Sequence, residues 1–344
     1  MTSCSPRVSV ILPCRNEIAH IGSCISSILD QREPVGGFEL LVVDGMSDDG
    51  TRDVLAGLQR KDPRVITFDN PCRIVSTGLN IGIQNSRGEI IVRMDAHSEY
   101  SPDYIRNCVD VLDETRADNV GGAAKTKNHT YVQKAICAAY ECALVVGGAR
   151  FHLPDYEGYV DTVPYGCWRK ELFQRIGLFD EELVRNQDDE LNLRTIRSGG
   201  KIWQSAMIKS WYYPRRSLIG LFEQYSQYGY WKVRVIQKHR IPASVRHLVP
   251  GLFLLMFVLF GIFSMFSKGA LVIWLVLITA YAVVNLVASI KSASQSGADI
   301  LPVLPFVVAC YHFGYGYGFL RGLLDFVVFR RRSSIRFSAL TRLI

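Results

Sequence analysis

The chain has 344 residues, long enough for about two domains at roughly 150 residues each, and with 49% hydrophobic and 21% charged residues it is neither disordered nor collagen-like. Its mean hydropathy of +0.12 averages two unlike parts: residues 1–200 carry 22 Lys and Arg against 29 Asp and Glu, whereas residues 201–344 carry 17 against 3. The second part is basic and apolar at once, which suits the anionic face of a bilayer; nucleic-acid binding would explain the charge but not the long uncharged runs.

Val8–Leu12 is a short β-branched run ending at Pro13 and predicts a buried strand. Ile21, Cys24, Ile25 and Ile28 recur at i, i+3, i+4, i+7 and predict a helix over Ala19–Asp30. Glu39–Val43 reads as a second buried strand running into Asp44-Gly45, and the capping residues of SDDGT open a helix over Thr51–Arg60. A strand at Val65–Phe68, a helix at Thr77–Asn85 and a strand at Glu89–Met94 continue the alternation. This pattern predicts an α/β fold: a parallel sheet with helices on both faces and functional loops at the C-terminal ends of the strands. Further on, Ser101–Asp113 reads as a helix and Gly121–Ala124 as a strand. The Gly-, Pro- and aromatic-rich stretch 147–168 reads as loops, and Glu171–Ile176 and Asp188–Ser198 as short helices.

From Leu248 the character changes. Leu248–Ser267 and Gly269–Ile290 are uncharged runs of 20 and 22 residues, each long enough as a helix to cross a hydrocarbon core of about 30 Å. Leu301–Leu320 is also uncharged, but Pro302, Pro305 and three glycines weaken it as a span. The tail carries Arg330, Arg331, Arg332, Arg336 and Arg342, which favours a cytosolic C-terminus. With a cytosolic start, the number of crossings is then even. Two spans plus a surface-lying third segment satisfy this, as does a broken third segment that crosses twice. Ahead of the first run, Ser217–His247 mixes aromatic residues with Lys232, Arg234, Lys238 and Arg240, as an interfacial helix or a solvated linker would. The expected divisions are 1–216 as a cytosolic domain, 217–247 as an interfacial basic and aromatic helix, 248–329 as the membrane region and 330–344 as a basic cytosolic tail.

Nine cysteines, at 4, 14, 24, 72, 108, 137, 142, 167 and 310, include no CxxC pair, so neither a zinc knuckle nor a disulfide framework is encoded. Free thiols place the acidic part in a reducing compartment. The N-terminal apolar run is too short for the core of a signal peptide.

Three acidic features stand where an open α/β sheet lines its crevice: Asp44 after the second strand, Asp95 and His97 after the fourth, and Gln187-Asp188-Asp189-Glu190 at a helix start. A carboxylate and an imidazole two residues apart reach one cation if the loop bends, and such a cation clamps a diphosphate and neutralises its charge as it leaves. The imidazole shifts preference from Mg2+ towards Mn2+. Alone, Asp-x-His is more often a turn residue beside a surface histidine; its place after a buried strand, downstream of PCRNE and VVDGMSDDGT, gives it weight. The first strand-to-helix turn, PCRNE, lacks G-x-G-x-x-G, which argues against a nicotinamide-dependent enzyme.

In order, PCRNE, VVDGMSDDGT, GLNIGIQNSRGEIIVRMDAH and GLFDEELVRNQDDELNLR resemble the family 2 glycosyltransferases over residues 6–235, in particular membrane-bound bacterial exopolysaccharide enzymes of the succinoglycan glucosyltransferase type. The resemblance implies a GT-A mixed sheet flanked by helices, with a C-terminal helical membrane region. It implies a nucleotide-diphospho-sugar at the strand ends, a divalent metal (Mn2+ or Mg2+) bridging its phosphates, and a later Asp that deprotonates the acceptor hydroxyl. By the same resemblance, Pro13, Arg15, Asn16 and Glu17 line the nucleotide loop, Asp44 faces the uracil and Asp48 the loop beside it. Asn80 and Gly82 match the Asn-x-Gly of the donor segment, Asp95 and His97 take the metal positions, and Asp188 takes the base position with Gln187 beside the acceptor.

Four departures stand out. His97 replaces the second metal-motif Asp. Leu79 stands where an Arg usually precedes Asn80, with Arg93 as the residue able to supply that charge to the donor. Gln187 replaces the Glu before the base, which removes a like charge and should leave the pKa of Asp188 less elevated. Gln227-Tyr228-Gly229-Tyr230-Trp231 is similar to the Gln-x-x-Arg-Trp of processive synthases but has Tyr230 for the Arg; Gln227 and Trp231 are acceptor-site candidates or, equally, part of an aromatic interfacial helix.

The implied function is inverting, metal-dependent transfer of a hexose, glucose from UDP-glucose, to a lipid-linked saccharide in exopolysaccharide biosynthesis. One displacement needs one base, whereas a retaining covalent route needs a nucleophile as well. The expected partners are a UDP-sugar, a lipid-linked glycan and the membrane, with no nucleic acid. The expected location is the bacterial cytoplasmic membrane, as a multi-pass protein with its catalytic domain in the cytosol. A polyprenyl-phosphate sugar transferase of the same fold is the alternative, ahead of a processive synthase and a non-catalytic membrane scaffold.

Overall fold

The computed structural model describes residues 5–242 and 244–338; Cys4 and the tail residue Arg342 lie outside the described residues. In chain order the elements are β1 (Val8–Cys14), α1 (Ile21–Leu29), β2 (Phe38–Asp44), α2 (Thr51–Lys61), β3 (Val65–Asp69), α3 (Val75–Asn85), β4 (Ile90–Arg93), β5 (Ser98–Tyr100), α4 (Tyr104–Thr115), β6 (Asn119–Gly121), β7 (Ala124–Thr126), α5 (Tyr131–Tyr140), α6 (Ala143–Val146), β8 (Gly158–Tyr159), β9 (Cys167–Arg169), α7 (Lys170–Ile176), α8 (Gln187–Arg197), β10 (Ile202–Gln204), β11 (Ser210–Tyr212), α9 (Leu218–His239), α10 (Val249–Phe263), α11 (Lys268–Ser296), α12 (Leu304–Gly322) and α13 (Ile335–Ser338). The chain divides into two units. One comprises the residues up to Lys125 with Arg150–Tyr212, the other Thr126–Ala149 with the residues from Tyr213 onward.

The first unit is built on an eight-stranded sheet of order β3-β2-β1-β4-β9-β6-β10-β8. β3, β2, β1 and β4 run parallel, as the alternation predicts. β9 enters antiparallel between β4 and β6, and β8 pairs antiparallel with β10, so the sheet is mixed. These two strands fall in or at the end of the stretch expected as loops; at two and three residues they are too short to show a period. β1 runs on through Pro13 because the chain needs no amide there. The Ile11 carbonyl accepts from the Met94 amide, so the backbone of Pro13, two residues on, also turns toward β4, beyond the last β1–β4 pair at Ile11 and Arg93. Both faces are covered. Val10, Leu12, Leu40 and Val92 pack with α1 and α4, and Ile11, Leu41, Val43 and Ile91 with α3, α7 and Leu191 of α8. Burial on both sides explains why the strands read as continuous apolar runs.

In the second unit, α5 packs Ala135, Ile136, Ala138 and Ala139 against Ala288 of α11 and Val307, Val308 and Tyr311 of α12. Residues 126–149 thus belong with the C-terminal helices rather than with residues 1–216, because the small apolar face of α5 finds its complement there. α9 is one continuous helix whose Tyr230 and Trp231 are fully buried. It lies against α12 at backbone contact. A Cβ on Gly314, Gly318 or Gly322 would come within 2.9, 1.8 or 2.8 Å of the carbonyl oxygens of Phe222, Ser226 and Tyr230, and one on Gly229 within 2.1 Å of the Tyr315 carbonyl. The glycines that weaken the third apolar segment as a span are therefore its packing face. That segment is one unbroken helix, not a broken pair. α10 and α11 differ from it: Val245–Phe263 and Lys268–Ser296 are long and apolar enough to cross a membrane, and Leu252, Val258, Val272 and Val276 are exposed.

Candidate active site

The register of the parallel strands gathers chemistry at one edge. Cys14 pairs with Asp44, Asp44 with Asp69, and Ile11 with Arg93, so the C-terminal ends of β1, β2, β3 and β4 open onto a common crevice. The loop after β1 is locked to the loop after β2. Asn16, in left-handed backbone at φ 55°, donates its amide N–H to Ser47 Oγ (2.8 Å). Its side chain pairs reciprocally with Asp48, Nδ2 donating to Oδ1 at 2.9 Å and accepting at Oδ1 from the Asp48 amide at 3.0 Å. Asp44 is buried and accepts from the Ser47 amide (2.9 Å), the Ser47 hydroxyl and Arg52 (3.2 Å); Arg52 also reaches Asp69 at 3.0 Å. Arg15 follows Pro13 and Cys14 and lies along Gly45, where a Cβ would come 3.1 Å from its own. Its Nε is buried with no partner among the described residues, a donor that an anionic ligand would satisfy.

After β4 the chain bends sharply. The Ser98 amide donates to the Asp95 carbonyl (3.2 Å), the Asp95 amide to Tyr100 Oη (2.6 Å), and β5 pairs antiparallel with β11. Ser98 Oγ and Tyr165 Oη share a hydrogen bond of 2.7 Å. This brings Asp95 and His97 to the same side, with His97 Nε2 3.8 Å from Asp95 Oδ2 and Nδ1 3.6 Å from Glu17 Oε1. Arg93, only 5% exposed, forks onto Asp95 through Nε (2.9 Å) and Nη2 (3.2 Å) and donates through Nη1 to Asp188 Oδ1.

Asp188 sits in the first turn of α8, after Asn186 in left-handed backbone at φ 61°. Its pKa is pushed up to about 6. Removal from water is the main cause, the charges of Asp95 and Asp189 add to it, and Arg93 opposes. The side chain keeps 32% of its surface exposed, so the carboxyl is set in a depression yet open on one side. Gln187 adds no charge, and Asp95 and Asp189 do what a Glu there would have done.

Asp95 and His97 supply one carboxylate and one imidazole facing each other, a donor set that suits Mn2+ or Mg2+ when further oxygen ligands arrive with a diphosphate. Among the described residues no group of three or more His, Cys, Asp or Glu is arranged to hold an ion by protein ligands alone.

The structure gives several of the expected site residues other partners. The Arg93 guanidinium is held by two carboxylates, Asp95 and Asp188. Asn80 is buried and positions the segment ahead of α8: Nδ2 donates to the Phe179 carbonyl and Glu181 Oε1 (both 2.9 Å), and Oδ1 accepts from the Phe179 amide (2.9 Å). A Cβ on Gly82 would come 2.5 Å from Ile11, so Gly82 serves the packing of α3 on β1. Gln187 is buried at the start of α8. Gln227 and Trp231 are buried inside their own unit. The Trp231 indole donates to the Phe337 carbonyl (2.9 Å), while Tyr230 accepts from the Ser334 amide (2.9 Å) and stacks on Phe337 at 4.2 Å. Tyr230 and Trp231 thereby anchor the C-terminal segment. Tyr100, Tyr165, Ser47 and Arg52 enter the site without a sequence signal of their own, apart from the Ser-Asp-Asp turn that holds Ser47.

A family model described as "Glycosyl transferase family 2" matches residues 9–167. The succinoglycan biosynthesis protein ExoA of Rhizobium meliloti is 30% identical over 327 residues, covering 94% of this chain and 96% of that protein. A dolichyl N-acetyl-alpha-D-glucosaminyl phosphate 3-beta-D-2,3-diacetamido-2,3-dideoxy-beta-D-glucuronosyltransferase of Methanococcus voltae is 27% identical over 325 residues, covering 92% and 97%. Among solved structures, the mannosyltransferase PcManGT of Pyrobaculum calidifontis, in complex with GDP-Man and Mn2+, superposes with a TM-score of 0.58 at 18% identity, covering 93% of this chain and 88% of that one. The mixed sheet with flanking helices is thus the GT-A arrangement.

Proposed function

The chain belongs to glycosyl transferase family 2, and from that premise we propose that it transfers a hexosyl residue, glucose from UDP-glucose, with inversion to a hydroxyl of a lipid-linked saccharide at the bacterial cytoplasmic membrane. The observation that carries this reading is the triad Asp95–Arg93–Asp188: one guanidinium ties the metal-motif carboxylate to the carboxylate of α8 across the strand-end crevice.

In the proposed reaction, Asp44 and the Asn16–Asp48 pair frame the nucleotide and Arg15 Nε meets its anionic part. Asp95 and His97 would hold a divalent ion, which when bound offsets charge on the leaving diphosphate. Arg93 engages Oδ1 of Asp188 and leaves Oδ2 to take the acceptor proton. The acceptor oxygen bonds to C1 as the bond from C1 to the diphosphate oxygen breaks, and the proton passes to Asp188. A base with a pKa of about 6 is ionised at neutral pH and still accepts a proton in the transition state. The apolar surfaces of α10 and α11 and the basic C-terminal part support a membrane location.

The test is transfer of radiolabelled sugar into lipid extract. Asp188→Asn and Asp95→Ala are expected to cut turnover by about 10²–10⁴-fold in protein that still binds UDP; near wild-type turnover in either removes the role given to that residue. Mild acid should release an oligosaccharide from the lipid product, whereas a monosaccharide would identify a polyprenyl phosphate as the acceptor.

A further inference from the structure

Both ring nitrogens of His97 face a carboxylate, Glu17 at 3.6 Å and Asp95 at 3.8 Å. A neutral imidazole has one N–H and one lone pair, so it satisfies one carboxylate directly, and its lone pair beside the other calls for a proton or a cation between them. The two sides are not equivalent. Both Asp95 oxygens already accept from Arg93, and Asp95 is held at its amide by Tyr100. Glu17 belongs to the loop after β1, whose backbone is fixed independently of the carboxylate: its amide donates to Thr51 Oγ1 (2.9 Å), and its carbonyl accepts from the His20 and Ile21 amides. The loop is thus rigid and delivers the Glu17 carboxylate to the nearer ring nitrogen.

We propose that Glu17 is a positioning residue for the divalent ion. With the ion bound, its carboxylate closes from 3.6 Å to accept the Nδ1–H of His97, fixes the ring and tautomer, and leaves the Nε2 lone pair to complete the ligand pair with Asp95. The carboxylate–imidazole–cation relay orients the ligand and raises its basicity, as outer carboxylates do at metal-bound histidines. It also compensates for His97 standing where the family places a second aspartate, because Glu17 returns a negative charge to the site one step removed from the ion. The proposal rests on the reading that Asp95 and His97 hold the ion.

The experiment is Mn2+ binding to the full chain in the presence of UDP, followed by continuous-wave EPR for affinity and pulsed EPR for the nitrogen coupling of a coordinated imidazole. Wild type should show that coupling and His97→Ala should lose it. Glu17→Ala should keep the coupling while Mn2+ affinity falls about 10- to 100-fold. Glu17→Gln, whose amide oxygen still accepts from Nδ1, should fall less. If wild type lacks the nitrogen coupling, or His97→Ala binds Mn2+ like wild type, the underlying reading of the ion site fails. If His97→Ala behaves as expected but Glu17→Ala matches wild type, the Glu17 proposal alone fails. If Glu17→Ala and Glu17→Gln abolish binding as fully as His97→Ala, Glu17 is itself a ligand and the relay is overturned.

Discussion

Arg93 and Asp188 show how much one buried cation decides. Without the guanidinium, Asp95 and Asp188 would face each other across the crevice as like charges. With it, Asp188 stays ionisable near neutrality, at about 6. The transfer rate should therefore drop roughly tenfold per pH unit below about 6, as the base becomes protonated, which a pH–rate profile at saturating donor reads directly. The same shift has a consequence for stability. A carboxyl whose pKa is higher folded than unfolded favours folding fully below about 3.9, and that contribution is lost as pH rises through about 6. Asp188→Asn, neutral throughout, should be more heat-stable than wild type at pH 8, with the gap closing toward pH 4. A melting series across that range checks it, and a variant less stable at pH 8 would contradict it. The roles proposed for Asp44, Asp95, His97 and Asp188 could be read from their places at the end of β2, in the loop after β4 and in the first turn of α8. The occupation of Arg93 could not, since no linear pattern tells that a residue inside β4 meets the first turn of α8, 95 positions away.

The apolar pattern located β1, β2, β4 and α1 because these elements are buried against the two faces of the sheet. It missed α5, although a capping arrangement was there to be read: Thr130 Oγ1 accepts from the Gln133 amide (3.2 Å) and Gln133 Oε1 from the His129 amide (3.0 Å). The glycines of α12, which weaken it as a span, allow two backbones to touch. Gly318→Ala would drive a methyl group to 1.8 Å from the Ser226 carbonyl. Helix α12 would have to move off α9, at a cost of about 1–3 kcal/mol or more. Gly57→Ala in the middle of α2 meets nothing within 4 Å and should instead stabilise by about 0.5–1 kcal/mol. Thermal melting of both variants tests the contrast; equal effects would mean that helix propensity, not the α9–α12 contact, governs the response at Gly318.

For the whole molecule, composition said early that an acidic part and a basic, apolar part are joined in one chain, but not where each begins. The segment Thr126–Ala149 leaves the first unit and returns at Arg150, a detour invisible to a reading that cuts the chain at composition changes. What the second unit does with its surface follows from solvent. Core helices of a water-soluble protein hide their apolar residues, whereas α10 and α11 display them around most of their circumference, and Val276, inside the uncharged run 269–290 of α11, is 60% exposed. Such a surface in water would aggregate; in a bilayer it is matched. An arginine at the centre of a membrane helix costs about 2.5–3.5 kcal/mol on insertion scales, so Val276→Arg should weaken membrane association while leaving the sheet and its crevice intact. Wild type should stay in the pellet after alkaline washing of membranes, and Val276→Arg should shift toward the supernatant while still binding UDP. If wild type washes free, α10 and α11 are covered by something other than lipid, and the lipid-linked acceptor loses its physical support.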